Sequence, residues 1–229
     1  MKFKIKTPVG AYKYSMIPLF AGIKIIDKEI SKRNLIDFYD FLIKEDIKVF
    51  LAYGTMLGAA REHDFIAHDE DIDLGMSAEY KTKLFALLFK LRELGFEVCR
   101  YDRRGVISFI KDGEYIDIYI FQPESEGIIV CGQEIMPEHF LHNLKPFEFL
   151  GKEYLAPRDY EKFLEYWYGK NWMTPIQYYQ YEQPRWKTKL LIWFQYIKEY
   201  MPDWLFYALL NKKMMAYRAP YEKKIKQYM

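Results

Sequence analysis

Cysteine is scarce in this chain, with only Cys99 and Cys131 among 229 residues. They form neither a CxxC pair nor a zinc-ligand spacing, which excludes a disulfide framework and a structural zinc; buried, reduced thiols are expected. Histidine is almost as rare, at four residues. His139 and His142 have a spacing that suits one helix face but lack a third ligand nearby, so a histidine metal centre is not expected. No apolar run approaches the roughly 18 residues of a spanning helix. The stretch Met16 to Ile26 is broken by Lys24 and has no small-residue cleavage site, so it does not read as a signal peptide. Internal repeats, low-complexity linkers and nucleic-acid-binding motifs are missing too, and no nucleic-acid partner is expected.

What remains is dense and aromatic. Hydrophobic residues make up 51% of the chain and aromatic residues 19%, which excludes disorder and suits one domain with an appendage. A net charge of +2 hides an uneven distribution. From Pro184 to Met229 ten basic and three acidic residues give +7, which leaves −5 on residues 1–183. The same tail carries eleven aromatic residues, and the apolar run Leu190 to Ile197 is flanked by Lys187, Lys189 and Lys198. Trp, Leu and Phe combined with lysine suit an interfacial helix on an anionic membrane surface. A helical arm packed on the body is the competing reading. Three regions are expected: a basic, apolar segment 1–26, a catalytic domain 27–183 and a helical tail 184–229.

Hydrophobic periodicity predicts a helix from Asp27 to Asp46 and a strand from Lys48 to Tyr53. Gly54 follows, then a short helix Met56 to Glu62 capped by Thr55. A strand Asp71 to Met76 leads into a long helix from Ser77 to Leu94, stopped by Gly95. Three strands are read at Phe96–Tyr101, Gly105–Lys111 and Tyr115–Phe121, with Asp112-Gly113 as a hairpin turn. A helix Pro157–Tyr168 follows, and two tail helices, Trp186–Tyr200 and Asp203–Tyr217, are separated by Pro202. The fold class is therefore α/β.

The chemistry concentrates between Tyr53 and Asp73. Alternation along a strand puts Asp71 and Asp73 on one face, where like charges repel and need a partner. A hard divalent cation, Mg²⁺ or Mn²⁺, supplies one, together with the phosphates it binds. Asp117, an acid in the apolar strand Ile116-Asp-Ile-Tyr-Ile120, would be offset by the same cation. A calcium loop at Asp69, Asp71 and Asp73 is excluded, because Leu74 stands where that loop needs glycine and Tyr80 where it needs glutamate.

A Gly-Thr turn at a strand end, a D-x-D on the next strand and a third acid on a later one together resemble the nucleotidyltransferase superfamily. In that setting Gly54 lets backbone approach a phosphate, while Thr55 offers its hydroxyl and amide. The likeness goes further. Tyr53-Gly-Thr-Met-Leu-Gly-Ala-Ala-Arg61, Phe65-Ile66 and His68-Asp-Glu-Asp-Ile-Asp-Leu-Gly-Met76 resemble the LicD family, which includes fukutin and fukutin-related proteins. Ala156-Pro-Arg-Asp-Tyr160 and Tyr168-Gly-Lys-Asn-Trp-Met-Thr-Pro175 resemble its second motif, so the likeness covers about residues 30–176. His68 and Glu70 depart from the usual tryptophan and aspartate. The resemblance implies a small mixed sheet with surrounding helices. It also implies transfer of a phospho-alcohol, such as phosphocholine or a polyol phosphate, from a CDP-linked donor to a glycan hydroxyl, with release of CMP.

In this reading Asp71, Asp73 and Asp117 are the catalytic and metal-binding acids. Arg61 brings a planar fork to phosphate oxygens. Asp69 either ligates the cation, caps its loop or pairs with Arg61. Tyr168 and Trp172 either frame the donor pocket or belong to the core. Arg103 and Arg104 read as solvated turn residues. The acceptor would be a cell-surface glycan or its lipid-linked precursor, and the location the cytoplasmic face of a membrane. Two alternatives stay open: a nucleotidyltransferase using an NTP, and a non-catalytic glycan- or partner-binding member.

Overall fold

The computed structural model describes residues 2–19, 24–175 and 185–229. The expected junction at residues 183 and 184, and part of the apolar stretch Met16 to Ile26, lie outside the described residues. Alternation of buried and exposed side chains starts at once: Phe3, Ile5, Tyr12 and Tyr14 are buried, while Lys4, Lys6 and Lys13 are exposed. Strands β1 (Lys2–Thr7) and β2 (Gly10–Ser15) accordingly form an antiparallel hairpin. Lys4, Lys6 and Lys13, which give this segment much of its basic character, are thus the solvent face of the hairpin. On the inner face, Tyr12 packs edge-on against Phe89 and under the Arg92 guanidinium, 3.9 Å from the ring centre.

Helix α1 (Lys28–Lys44) begins where Asp27 accepts the Ile30 amide at 3.1 Å, and it buries Leu35, Phe38, Tyr39 and Leu42. Next come β3 (Val49–Leu51), α2 (Tyr53–Arg61) and β4 (Ile72–Ser77). The long helix expected from Ser77 is broken. Ser77 caps a 3-10 turn, followed by α3 (Lys81–Ala86) and α4 (Leu88–Glu93). At the break the ladder tightens to an i−3 bond, Leu87 N to Leu84 O at 3.0 Å.

Strands β5 (Glu97–Asp102), β6 (Val106–Lys111) and β7 (Glu114–Ser125) run antiparallel to their neighbours in turn. The β6–β7 hairpin turns at Asp112-Gly113, where both residues take positive φ (52° and 82°) as a type I′ turn requires. Then follow β8 (Ile128–Cys131), β9 (Glu134–Pro137), α5 (His139–His142), β10 (Leu144–Phe149), β11 (Lys152–Pro157) and α6 (Tyr160–Tyr168). Pro157 ends β11, paired with Leu144, and does not open α6 as expected. The four strands β8 to β11 have no counterpart in the sequence reading.

The sheet order is β10-β11-β3-β4-β7-β6-β5, with β8 and β9 added along the far end of β7. It is mixed: β4 runs parallel to β7 and antiparallel to β3, and β3 runs parallel to β11. The α/β class with a mixed sheet is thus observed, and at nine strands the sheet is larger than the small one expected. Phe38 of α1 packs on Phe96 and Phe109, which docks the helix on one face of the sheet.

The tail forms α7 (Arg185–Tyr200) and α8 (Asp203–Ile225). The second helix continues beyond Tyr217 and through Pro220. Packing outweighs the lost backbone bond there, because Tyr221 lies against Tyr166 and Trp167, and Ile225 is buried. Arg218 donates to Glu124 and to the Gly132 carbonyl, each at 2.7 Å. Arg103 binds Asp203 and the Lys198 and Met201 carbonyls, so this turn arginine anchors the tail to the body. No helix among the described residues is long and apolar enough to cross a membrane.

Candidate active site

Register across the sheet builds the site. Asp73 of β4 lies beside Asp117 of β7, Asp117 beside Ser108 of β6, and Ser108 beside Arg100 of β5. Residues in one cross-strand row point to one face, so four polar side chains line up while their neighbours Ile72, Leu74, Ile116 and Ile118 fill the core. Arg100 joins the row through a β-bulge between Val98 and Arg100 that shifts the register by one residue. Its guanidinium pairs with Asp117 Oδ2, and its Nε donates to Ser108 Oγ at 2.9 Å.

Helix α2 brings its amino terminus to the same place. The Gly54 amide donates to Asp73 Oδ2 at 2.9 Å, the charge-favoured position for an acid at a helix start. A Cβ on residue 54 would lie 3.0 Å from Asp69 Oδ2 and 3.2 Å from Asp73 Oδ2, so only glycine leaves that space free. Tyr53, just before it, has φ of +38°, a left-handed conformation costing a non-glycine residue about 1–2 kcal/mol. Packing fixes this residue: its hydroxyl donates to Glu134 at 2.6 Å, and its ring lies against Tyr119 and Trp167.

Thr55 departs from expectation. It sits inside α2 rather than capping it, is fully buried, and its Oγ1 accepts the Asp73 amide at 2.8 Å. Its hydroxyl therefore ties helix to strand, and the residue does not line the cleft into which the acids open.

Burial is the main cause holding the Asp73 and Asp71 carboxyls well above the ordinary range. Repulsion adds to it, from Asp71, Asp69 and Asp117 at Asp73, and from Asp117 and then Asp69 at Asp71. Burial likewise pushes Asp69 up to about 6, although its Oδ1 accepts the Glu70 amide at 3.1 Å. Two carboxylate oxygens, Asp69 Oδ2 and Asp117 Oδ1, are buried with no hydrogen-bond donor. Such orphaned acceptors are costly unless a cation or donor meets them. Among the described residues no three Asp, Glu, His or Cys side chains close into a ready-made metal cage. An open pair of carboxylates suits Mg²⁺, which takes only one or two protein ligands and completes its shell with water and substrate phosphates.

The acids open into a cleft of about 860 Å³. Its walls include Gly54, Arg61, Asp69, Asp71, Asp117, Tyr168 and Trp172 from the sequence reading; Asp73 and Thr55 lie behind them. Arg61 is held by Glu62 at 2.8 Å and the Trp172 carbonyl at 3.3 Å, not by Asp69, and its Nε remains buried without an acceptor. Tyr168 is 42% exposed at the cleft rather than part of the core. The sequence reading missed Arg100, Tyr115, Tyr119 and Leu19, which also line the cleft. Strand alternation from Asp117 marks Tyr115 and Tyr119 as sharing its face, but nothing in the sequence announces the bulge that aims Arg100.

A family model described as LicD/FKTN/FKRP, nucleotidyltransferase domain, matches residues 46–159. Ribitol 5-phosphate transferase FKRP of Homo sapiens is 30% identical over 152 residues, covering 58% of this chain and 30% of that protein. An uncharacterised protein of Rickettsia prowazekii is 31% identical over 131 residues, covering 54% of this chain and 48% of that protein. The chain thus spans less than half the length of the curated relatives it matches. Among solved structures, the lincosamide adenylyltransferase LnuA bound to lincomycin is similar at 11% identity and a TM-score of 0.45. That similarity covers 73% of this chain and 97% of LnuA.

Proposed function

Because this chain belongs to the LicD family of nucleotidyltransferase-like domains, we propose that it transfers a phospho-alcohol from a CDP-linked donor to a hydroxyl of a glycan or lipid-linked glycan precursor. The phosphorus carrying the alcohol is attacked, its bond to CMP breaks, and CMP leaves. One observation carries the reading: buried acids, two of them with an orphaned oxygen, open at a helix amino terminus into a cleft large enough for a nucleotide.

In this proposal Asp71 and Asp73 hold Mg²⁺ or Mn²⁺, which when bound offsets the charge of the two donor phosphates. Asp117 has one oxygen tied to Arg100; the other completes the cation's protein ligands or orients the attacking hydroxyl. Gly54 keeps the cradle open. Arg61 and Arg100 balance the charge that develops as CMP departs. The neutral phenols of Tyr115 and Tyr119, held above their usual range by burial first and by the nearby acids second, form an uncharged wall. Tyr168 and Trp172 stand at the mouth, where the alcohol or acceptor enters. We assign the acceptor to the cytoplasmic face of a membrane.

A thermal-shift panel with Mg²⁺ or Mn²⁺ tests the donor, using CDP-ribitol, CDP-choline, CDP-glycerol, CMP and the four NTPs. A ligand at about 100 times its Kd stabilises by roughly 2.7 kcal/mol, or about 5–10 °C for a chain of this size. Metal-dependent stabilisation by one CDP-alcohol, lost in D71N/D73N, is the expected result. A response to NTPs alone transfers the reading to nucleotidyl transfer, and silence throughout rejects a donor site.

A further inference from the structure

Helix α7 has two faces of different fate. Ile192, Gln195, Tyr196 and Glu199 turn toward the protein: Tyr196 stacks on Phe3, Glu199 accepts the Tyr14 hydroxyl at 3.5 Å, and Gln195 donates to the Leu19 carbonyl at 3.1 Å. The opposite face carries Trp186, Leu190, Trp193 and Phe194: Leu190 follows Trp186 by four residues, and Trp193 and Phe194 follow Leu190 by three and four. Their exposures are 63%, 44%, 57% and 48%. Trp204, at the start of α8, is 73% exposed. Lys187 and Lys189 are exposed beside this stripe, and the Lys187 ammonium lies 5.7 Å from the centre of the Trp186 ring.

We propose that this face of α7 lies in the headgroup layer of an anionic bilayer. A helix already docked by one side has no fold-related need for three aromatic rings on the other, and exposed patches of this kind mark interaction sites. Tryptophan prefers the lipid–water boundary, where its ring is apolar on one side and wet on the other. Charge selects the lipid. The tail carries +7 and the rest of the chain −5, so an anionic surface attracts this end and repels the other. A second copy of the chain would bring Lys187 and Lys189 against the same two lysines at this face.

The consequence for substrate is geometric. Leu19, whose carbonyl α7 holds, is also a wall of the cleft. The helix on the membrane thus sits one hydrogen bond from the site, which favours an acceptor presented from the bilayer on a lipid. That acceptor class rests on the transfer reaction proposed above; the lipid-binding face does not.

Flotation of the full chain with phosphatidylcholine vesicles, with and without phosphatidylglycerol, tests the face with neither donor nor metal present. Binding to the anionic vesicles alone is expected, with tryptophan emission moving to the blue. W193S/F194S should abolish it without changing the melting temperature. At about 1 kcal/mol per lysine, K187Q/K189Q should weaken partitioning about 30-fold. No binding at low salt, or binding that survives W193S/F194S, overturns the proposal. So does a concentration-dependent dimer in solution that W193S/F194S dissolves, which would assign the face to a second copy.

Discussion

Asp69 offers a direct measure of the strain built into the site. Its folded carboxyl titrates at about 6 against an ordinary 3.8, with burial the largest cause and the Glu70 and Glu62 charges adding to it. A raised carboxyl means that the folded state binds the proton more tightly than the unfolded chain. The Asp69 contribution to stability is therefore most favourable below pH 3.8, falls as pH rises through the window from 3.8 to about 6, and carries the full penalty above it. A shift of this size corresponds to at most about 3 kcal/mol. Partial exposure of the residue reduces the expected penalty to about 1–2 kcal/mol. D69N removes the charge yet keeps an oxygen for the Glu70 amide, so the metal-free variant should be more stable than the parent at pH 8, by roughly 2–8 °C in Tm. Near pH 4 the two proteins should melt together. Thermal melts in EDTA from pH 4 to 8 make the comparison. A variant that is less stable at pH 8, or a difference that does not change with pH, would refute the claim that the site is electrostatically strained.

Four further outcomes are expected. G54A should keep its melting temperature within a few degrees but lose metal-dependent stabilisation by nucleotide, because the new methyl occupies space among the Asp69 and Asp73 oxygens. R100Q should destabilise by about 3–5 kcal/mol by leaving Asp117 buried and uncompensated; adding D117N should restore much of the loss in a urea-unfolding double-mutant cycle. T55V, nearly isosteric, should cost about 1–3 kcal/mol through the orphaned Asp73 amide, with T55S close to the parent in the same assay. Y53F should cost about 1–2 kcal/mol in urea unfolding by removing the hydroxyl that meets Glu134.

What the sequence revealed follows from which forces are local. Helix α1 was legible because Asp27 caps it and its apolar residues recur at helical spacing. The acids were legible because a D-x-D strand followed by an acid in an apolar strand is chemically conspicuous, and register then placed Asp73 beside Asp117. The amino-terminal hairpin was missed although its signal was present: Lys-Phe-Lys-Ile-Lys alternates with period two, but the run of lysines drew the reading toward net charge. Strands β10 and β11 depend on each other and on β3, a pairing no local window contains. Thr55 was misplaced because α2 starts at Tyr53, which enters with positive φ, three residues before the expected Met56. Arg100 depends on a bulge, a defect in register rather than a pattern in sequence.

The docking of α7 on the hairpin also sets an order of assembly. Tyr14 reaches Glu199 across 185 positions of chain, and Phe3 closes on Tyr196 and Tyr200. Contacts of such sequence separation carry a loop-closure cost that neighbouring strands do not. Tyr12 has its partners Phe89 and Arg92 within the body, but Phe3 and Tyr14 reach these tail contacts only once residues 196–200 have been made. The sheet bearing Asp73 and Asp117 can form in the meantime. The Leu19 wall, held by Gln195, is fixed only when α7 docks, so a nascent chain has its acids in place before it has that wall of the cleft.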